Sequence, residues 1–292
     1  MFHRLKRHPF AVSAHFDHCL VLAYALPRET LQPMLAPGLE LDVYQNFGFV
    51  AVALVQTRAL RPSFLPAALG QNFFLVGYRI FTRYQSRAGR NLRGLQILRS
   101  DTDKPLMKIA GNLFTHYNYQ SARTRFELDD QTLEIETRAT DVHLSVVADL
   151  SQPAPLPNGS PFPDIATARR YAGPLPYTFD YERQTRSMIL VKGVRKKWNP
   201  MPVEIEVRAN TFFDDERFGG ATPILANAFY LSDVPYRWEP GKRETVSISR
   251  RDAPRREGKA TKTTETDSAP FFLFRHSHFP LRAGRLRVGR AI

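Results

Sequence analysis

The apolar residues of this chain come in short, repeated runs, and each run is ended by proline, glycine or a polar cluster. "GFVAVALVQTRAL", beginning at Gly48, is typical: it is long enough for a buried strand and is bounded by a polar turn and by the loop "RPSFLPAALG". No run approaches the roughly 20 residues a helix needs to cross a bilayer, so no membrane span is expected. The 22 prolines against 16 glycines point to many short elements joined by turns, because proline removes a backbone donor and stops helices.

Strand signals recur along the chain. They include "HFDHCLVLAYALP", "APGLELDVY", "NFFLVGYRIFTRYQ", "GLQILRSD", "PLMKIAGNLF", "VHLSVVADL", "YTFDYERQTRSMILVKG", "PVEIEVRANTFF" and "NAFYLSDVPYRWEP". In "TRFELDDQTLEIETR" polar and apolar residues alternate around Asp129 and Asp130, which predicts a hairpin with one wet face. Two short helices are expected. One is "PRETLQPML", with Pro27 and Glu29 near its start; the other is "PFPDIATARRYAG", with Asp164 near its start and Gly173 past its end. The spacing is that of a meandering antiparallel sheet in a mainly β, β-rich α+β protein. One domain, residues 11–240, is the simplest division, since no repeat or linker separates two blocks.

Beyond Pro240 apolar periodicity is lost, and residues 241–292 read as a basic, disordered tail. From Arg250 onward there are eleven Lys and Arg against four Asp and Glu. Of the 41 basic and 28 acidic residues that leaves 30 against 24, so over half of the net charge of +13 lies in the tail. The body is only mildly basic and carries no RNA-binding or helix-turn-helix pattern, so no nucleic acid is expected there. Cys19 is the sole cysteine, which excludes an internal disulfide and fits a reducing compartment. The opening residues lack a convincing signal-cleavage site, and the cytoplasm is the expected location.

Several chemistries lack their residues. The G-x-S-x-G elbow, the phosphate loop and the dinucleotide fingerprint do not occur. "HFDHC" gathers His15, Asp17, His18 and Cys19, but on a strand His15 and Asp17 share one face while His18 takes the other, so no metal site is expected. No cofactor is implied. The body lysines are Lys104, Lys108, Lys192, Lys196 and Lys197; "KGVRKKWNP" packs four cations into one loop and reads as a solvated face, where screening leaves little pKa shift. "GNLFTHYNYQSA" is different: His116, Tyr117, Asn118 and Tyr119 interrupt an apolar run with groups that all form hydrogen bonds, as a pocket wall would.

The order of these elements resembles a known family. "HCLVLAYALPRETLQPMLAPGLELDVY" looks like the opening of acetoacetate decarboxylase-like proteins. "GFVAVALVQTRALRPSFLP", "VGYRIFTRY" with Arg79, and "PLMKIAGNLFTHYNYQSARTRFE" are similar to its uncharacterised branch, the YqjF-like proteins or domain-of-unknown-function family 2071. The resemblance covers roughly residues 15–240. It implies a mostly antiparallel barrel or coiled sheet around a largely apolar pocket, with a few short helices outside. It also implies a missing nucleophile: aligned without gaps from Pro105, the lysine pair of the decarboxylases falls on Asn118 and Tyr119. Asp17 stands where those enzymes have an arginine, and Leu75 where many members of the uncharacterised branch have a glutamate.

Three functions follow as expectations. The first is a barrel that binds a small, largely apolar molecule without a Schiff base, its ligand met by Tyr117, Asn118, Tyr119, Asp17, His18 and Arg79. The second is a lysine-independent acid–base enzyme acting on a carbonyl compound, with His116 as proton carrier. The third is an interaction protein that uses the basic tail on an anionic surface. A small molecule is the expected partner, and a homo-oligomer is left open.

Overall fold

The computed structural model describes residues 2–196 and 198–246. A 3-10 turn, Phe2–Arg7, precedes strand β1 (Val12–Pro27), helix α1 (Arg28–Leu31) and strand β2 (Leu39–Leu41). Three long strands follow, β3 (Phe47–Pro62), β4 (Gln71–Gln85) and β5 (Asn91–Thr102), then helix α2 (Pro105–Phe114) and strand β6 (Tyr119–Ser121). A meander of β7 (Arg123–Asp129), β8 (Thr132–Arg138) and β9 (His143–Asp149) leads to helix α3 (Ile165–Ala172). The remainder is β10 (Tyr177–Glu182), β11 (Ser187–Arg195), β12 (Met201–Pro202), β13 (Glu204–Asn210), β14 (Ile224–Trp238) and β15 (Lys242–Thr245).

Strands β14, β1, β3, β4, β5, β10 and β11 are bonded neighbours in that order, and β11 pairs back onto β14, so the sheet closes into a barrel. Its pairings are antiparallel except where β10 and β6 run parallel to β5. Closure explains the unbroken apolar runs. Leu20, Leu22, Val50, Val52, Val76 and Tyr78 face outward and are covered by the second sheet, ordered β13-β9-β8-β7, through Leu133, Ile135, Leu144 and Val146. Cys19, Val21, Ala51, Ala53, Val55 and Phe81 face inward. A strand buried on both faces has no polar period. The covering sheet shows the expected wet face, with Arg125 paired to Glu127 and Arg138 to Glu136.

Helix α3 matches its sequence signal: Asp164 Oδ1 accepts from the Thr167 amide at 2.7 Å and caps the first turn. Two expectations are corrected. "PLMKIAGNLF" is not a strand but helix α2, with Pro105 in its first turn, where a missing N–H costs no hydrogen bond. Regular structure also does not stop at Pro240. Lys242–Thr245 adds β15 to the edge of β11, and the 3-10 turn before residue 11 packs against α2. The remainder of the expected tail, residues 247–292, lies outside the described residues.

Candidate functional site

The inward residues of β1, β3 and β4 are small at several positions, Ala51, Ala53 and Gly77 among them, and the barrel is consequently not filled. A cavity of about 370 Å³ remains, walled mainly by apolar side chains and closed at one side by α2 and the segment around His8.

Arg79 brings a cation into this apolar space. It sits on β4 two residues after Gly77, so both face the interior. Its guanidinium lies back across that glycine: a Cβ at Gly77 would come within 2.7 Å of Nη2 and 2.8 Å of Nε. Glycine inside a strand marks such close approaches. The Nε of Arg79 is buried without a hydrogen-bond partner, and among the described residues no carboxylate forms an ion pair with it. The second arginine of the wall, Arg195, is differently placed. It donates to the carbonyls of Pro174 and Leu175 and stacks on Trp198, with 4.2 Å from its guanidinium carbon to the ring centroid.

Tyrosines surround the Arg79 charge. Tyr119 is fixed by reciprocal bonds, its amide donating to Asn112 Oδ1 and its carbonyl accepting from Asn112 Nδ2, both at 2.9 Å. Its ring fills the notch left by Gly111, where a Cβ would lie 2.3 Å from Cδ2. Burial pushes the Tyr119 hydroxyl up to about 12, only partly offset by Arg79. Burial also raises Tyr117 and Tyr236, so all three phenols stay protonated and can donate near neutral pH.

His8 belongs to the same wall and had no signal in the sequence. Its backbone is left-handed, with φ at 50°; its amide donates to the Phe114 carbonyl at 3.2 Å and its carbonyl accepts from the Gly241 amide at 2.9 Å. The ring lies 5.1 Å from that of Tyr117, and Nε2 is buried without a partner. Burial lowers its pKa to about 4, against the pull of Asp180 and with help from His116. The imidazole is therefore neutral at physiological pH.

This depression fixes a sign for acid sensitivity. Between pH 6.5 and about 4 the unfolded chain binds a proton at His8 and the native chain does not, so stability falls as pH drops through that window. The shift corresponds to roughly 3 kcal/mol. His8→Asn, which tolerates the left-handed backbone, should lose that much less stability on acidification when both proteins are melted in urea across the range. Parallel curves would refute it.

Of the residues named from the sequence, Arg79, Tyr117 and Tyr119 line the cavity, whereas Asp17, His18, Asn118 and His116 are not among its lining residues. Asp17 is held at the barrel surface by Arg58 at 2.9 Å, with His15 at 3.8 Å. His18 bonds Tyr230 and packs against Phe126, on the side of the second sheet. Asn118 has a left-handed backbone, φ 52°, just before β6; Tyr117 and Tyr119 face the cavity while it is exposed beside a polar cleft formed with Arg99, Lys108 and Asp141. The Nδ1 of His116 meets Asp180 Oδ2 at 2.7 Å, and its amide donates to the same oxygen at 3.2 Å.

A closed barrel flanked by a small sheet and short helices is a fold this chain shares with acetoacetate decarboxylase-like structures. The chain belongs to DUF2071, a family of uncharacterized conserved proteins, whose model matches residues 13–234. Among solved structures it is similar to an acetoacetate decarboxylase-like enzyme from Sphingomonas wittichii RW1, with 14% identity and a TM-score of 0.52 over 81% of this chain and 93% of that one. An acetoacetate decarboxylase from Legionella pneumophila matches with 11% identity and a TM-score of 0.53 over 80% and 87%. The enduracididine biosynthesis enzyme MppR, complexed with pyruvate, matches with 11% identity and a TM-score of 0.51 over 80% and 90%. No curated protein sequence matches the chain. At these identities the likeness is one of fold.

Proposed function

We propose that the barrel cavity binds a small organic acid with an apolar body, its carboxylate held by Arg79 and assisted by the phenols of Tyr117 and Tyr119. The observation that carries this reading is the unpartnered Nε of Arg79 inside an apolar wall. A buried cation is costly unless an anion meets it, and a guanidinium matches a carboxylate with two parallel bonds. About 370 Å³ is near the lower end for ligand pockets, roughly 300–1,000 Å³, which favours a small ligand. Pyruvate in MppR, a protein of similar fold, is such an acid.

The described lining residues include no lysine, which supports non-covalent binding over imine chemistry. His116 is poorly placed as a proton carrier, since it is engaged by Asp180 and does not line the cavity. A thermal-shift panel tests the reading by comparing short aliphatic, aromatic and 2-oxo carboxylic acids with the matching primary amides. At a concentration 100 times its Kd, a ligand should stabilise the fold by about 2.7 kcal/mol, and only the acids should do so. Equal shifts from the amides, or none from any acid, would remove it.

A further inference from the structure

We propose that the apolar surface carried by α2, the β3–β4 loop and the N-terminal turn docks the protein on an anionic lipid bilayer. Helix α2 is apolar on both sides. Met107 and Gly111 are buried, while Leu106 is 59% exposed, Ile109 66% and Leu113 38%, a stripe at positions i, i+3 and i+7. Surface helices normally turn charged residues to water, and an exposed apolar stripe marks a contact site. The stripe is not isolated. In the β3–β4 loop Phe64 is 74% exposed and Leu69 66%, and Leu5 of the 3-10 turn is 38% exposed. Phe10 ties these segments together, with ring centroids 6.1 Å from Phe64 and 5.3 Å from Phe114.

Charge identifies the occupant. Residues 1–16 contain Arg4, Lys6 and Arg7, residues 60–71 contain Arg61, and residues 104–118 contain Lys104 and Lys108; none of the three segments contains an Asp or Glu. Arg7 is engaged by Glu182, Arg61 by the carbonyls of Ala59 and Leu65, and Lys104 lies 3.8 Å from Asp103. Arg4, Lys6 and Lys108 have no ion pair among the described residues. A second copy docked face to face through a two-fold axis would set these cations against their own duplicates. A bilayer with anionic headgroups accepts both features, the apolar side chains entering the acyl boundary and the cations staying at the phosphates. The same three segments line one side of the barrel cavity, so docking would bring that side to the lipid surface.

Co-sedimentation of the full chain with vesicles tests this without any ligand. The protein should bind vesicles of mixed phosphatidylglycerol and phosphatidylcholine, fail to bind phosphatidylcholine alone, and release at high salt. Residues 250–292 carry their own surplus of cations, so the deciding result comes from variants of the face. Leu106→Glu with Ile109→Glu should weaken binding about tenfold or more, and Lys108→Glu about fivefold or more. Unchanged binding in these variants would overturn the proposal, as would failure of the parent chain to bind anionic vesicles. Self-association in size-exclusion chromatography that the same variants abolish would assign the face to a second copy and equally overturn it.

Discussion

Replacing Arg79 by methionine should lower the affinity for a carboxylate about 100-fold and leave the affinity for the matching amide nearly unchanged. Hydrogen bonds to charged groups contribute about 1.5–3 kcal/mol, and truncating one partner of a buried charge pair costs about 2–5 kcal/mol, so two decades is a moderate expectation. The unliganded protein should respond in the opposite direction. With no anion bound, Arg79 is a cation whose Nε lacks a partner. Removing it while keeping an apolar stem of similar length relieves desolvation, so the melting temperature should hold or rise. Arg79→Lys is the more exacting variant, because it keeps the charge and loses the planar fork. If orientation of the carboxylate matters, lysine recovers only part of the affinity. Isothermal titration with the acid and its amide measures all of these, and a methionine variant that binds the acid as well as the parent would refute the role given to Arg79.

Much of the barrel could be read from the sequence because its strands are buried on both faces. "LVLAYAL" and "FVAVALV" are unbroken because the even positions meet the second sheet and the odd ones meet the barrel interior. Helix α2 was hidden for a related reason. With Leu106, Ile109 and Leu113 turned outward, its sequence has no wet face to betray a 3.6-residue period, and only Pro105 after Lys104 hinted at a helix start. In the cluster from His116 to Tyr119, Tyr117 and Tyr119 line the cavity, whereas Asn118 takes a left-handed backbone, φ 52°, that asparagine tolerates and that no strand periodicity announces. Gly77 was a second available signal, since a lone glycine in a strand beside an arginine suggests that the side chain needs the space.

His8 left no comparable trace. It lies in an aperiodic basic segment, and what seats it are backbone bonds to Phe114 and Gly241, 106 and 233 residues away in sequence. Asp17 misled in the other direction. Its position in the strand order suggested a substrate contact, yet the register against β3 sets it beside Arg58 at the surface. Residue type and order were informative about which segments form the cavity. They could not show which side chains a non-local ion pair or a bulge turns away from it.

The contact that secures the N-terminal wall predicts the largest loss of stability. Glu182 is fully buried and receives both arms of Arg7, at 2.8 Å from Nε and 2.6 Å from Nη2, together with the hydroxyl of Thr185. This bidentate pair spans 175 residues and anchors the turn that leads directly into His8. Removing one side of a buried pair costs about 3–5 kcal/mol; Glu182 keeps other contacts, the Thr185 hydroxyl among them, and Arg7 is itself 22% exposed, so the lower end applies. Arg7→Ala should therefore destabilise the protein by about 3 kcal/mol, a fall of roughly 6–12 °C in Tm for a domain of this size. Arg7→Lys should fall between the two, retaining the charge without the fork. Because the turn holds His8 against Tyr117, Arg7→Ala should also weaken acid binding at temperatures where it is still folded, whereas a purely peripheral tether would lower Tm alone. A Tm within about 2 °C of the parent would mean that the pair contributes little and that the seat of His8 is set by its backbone bonds.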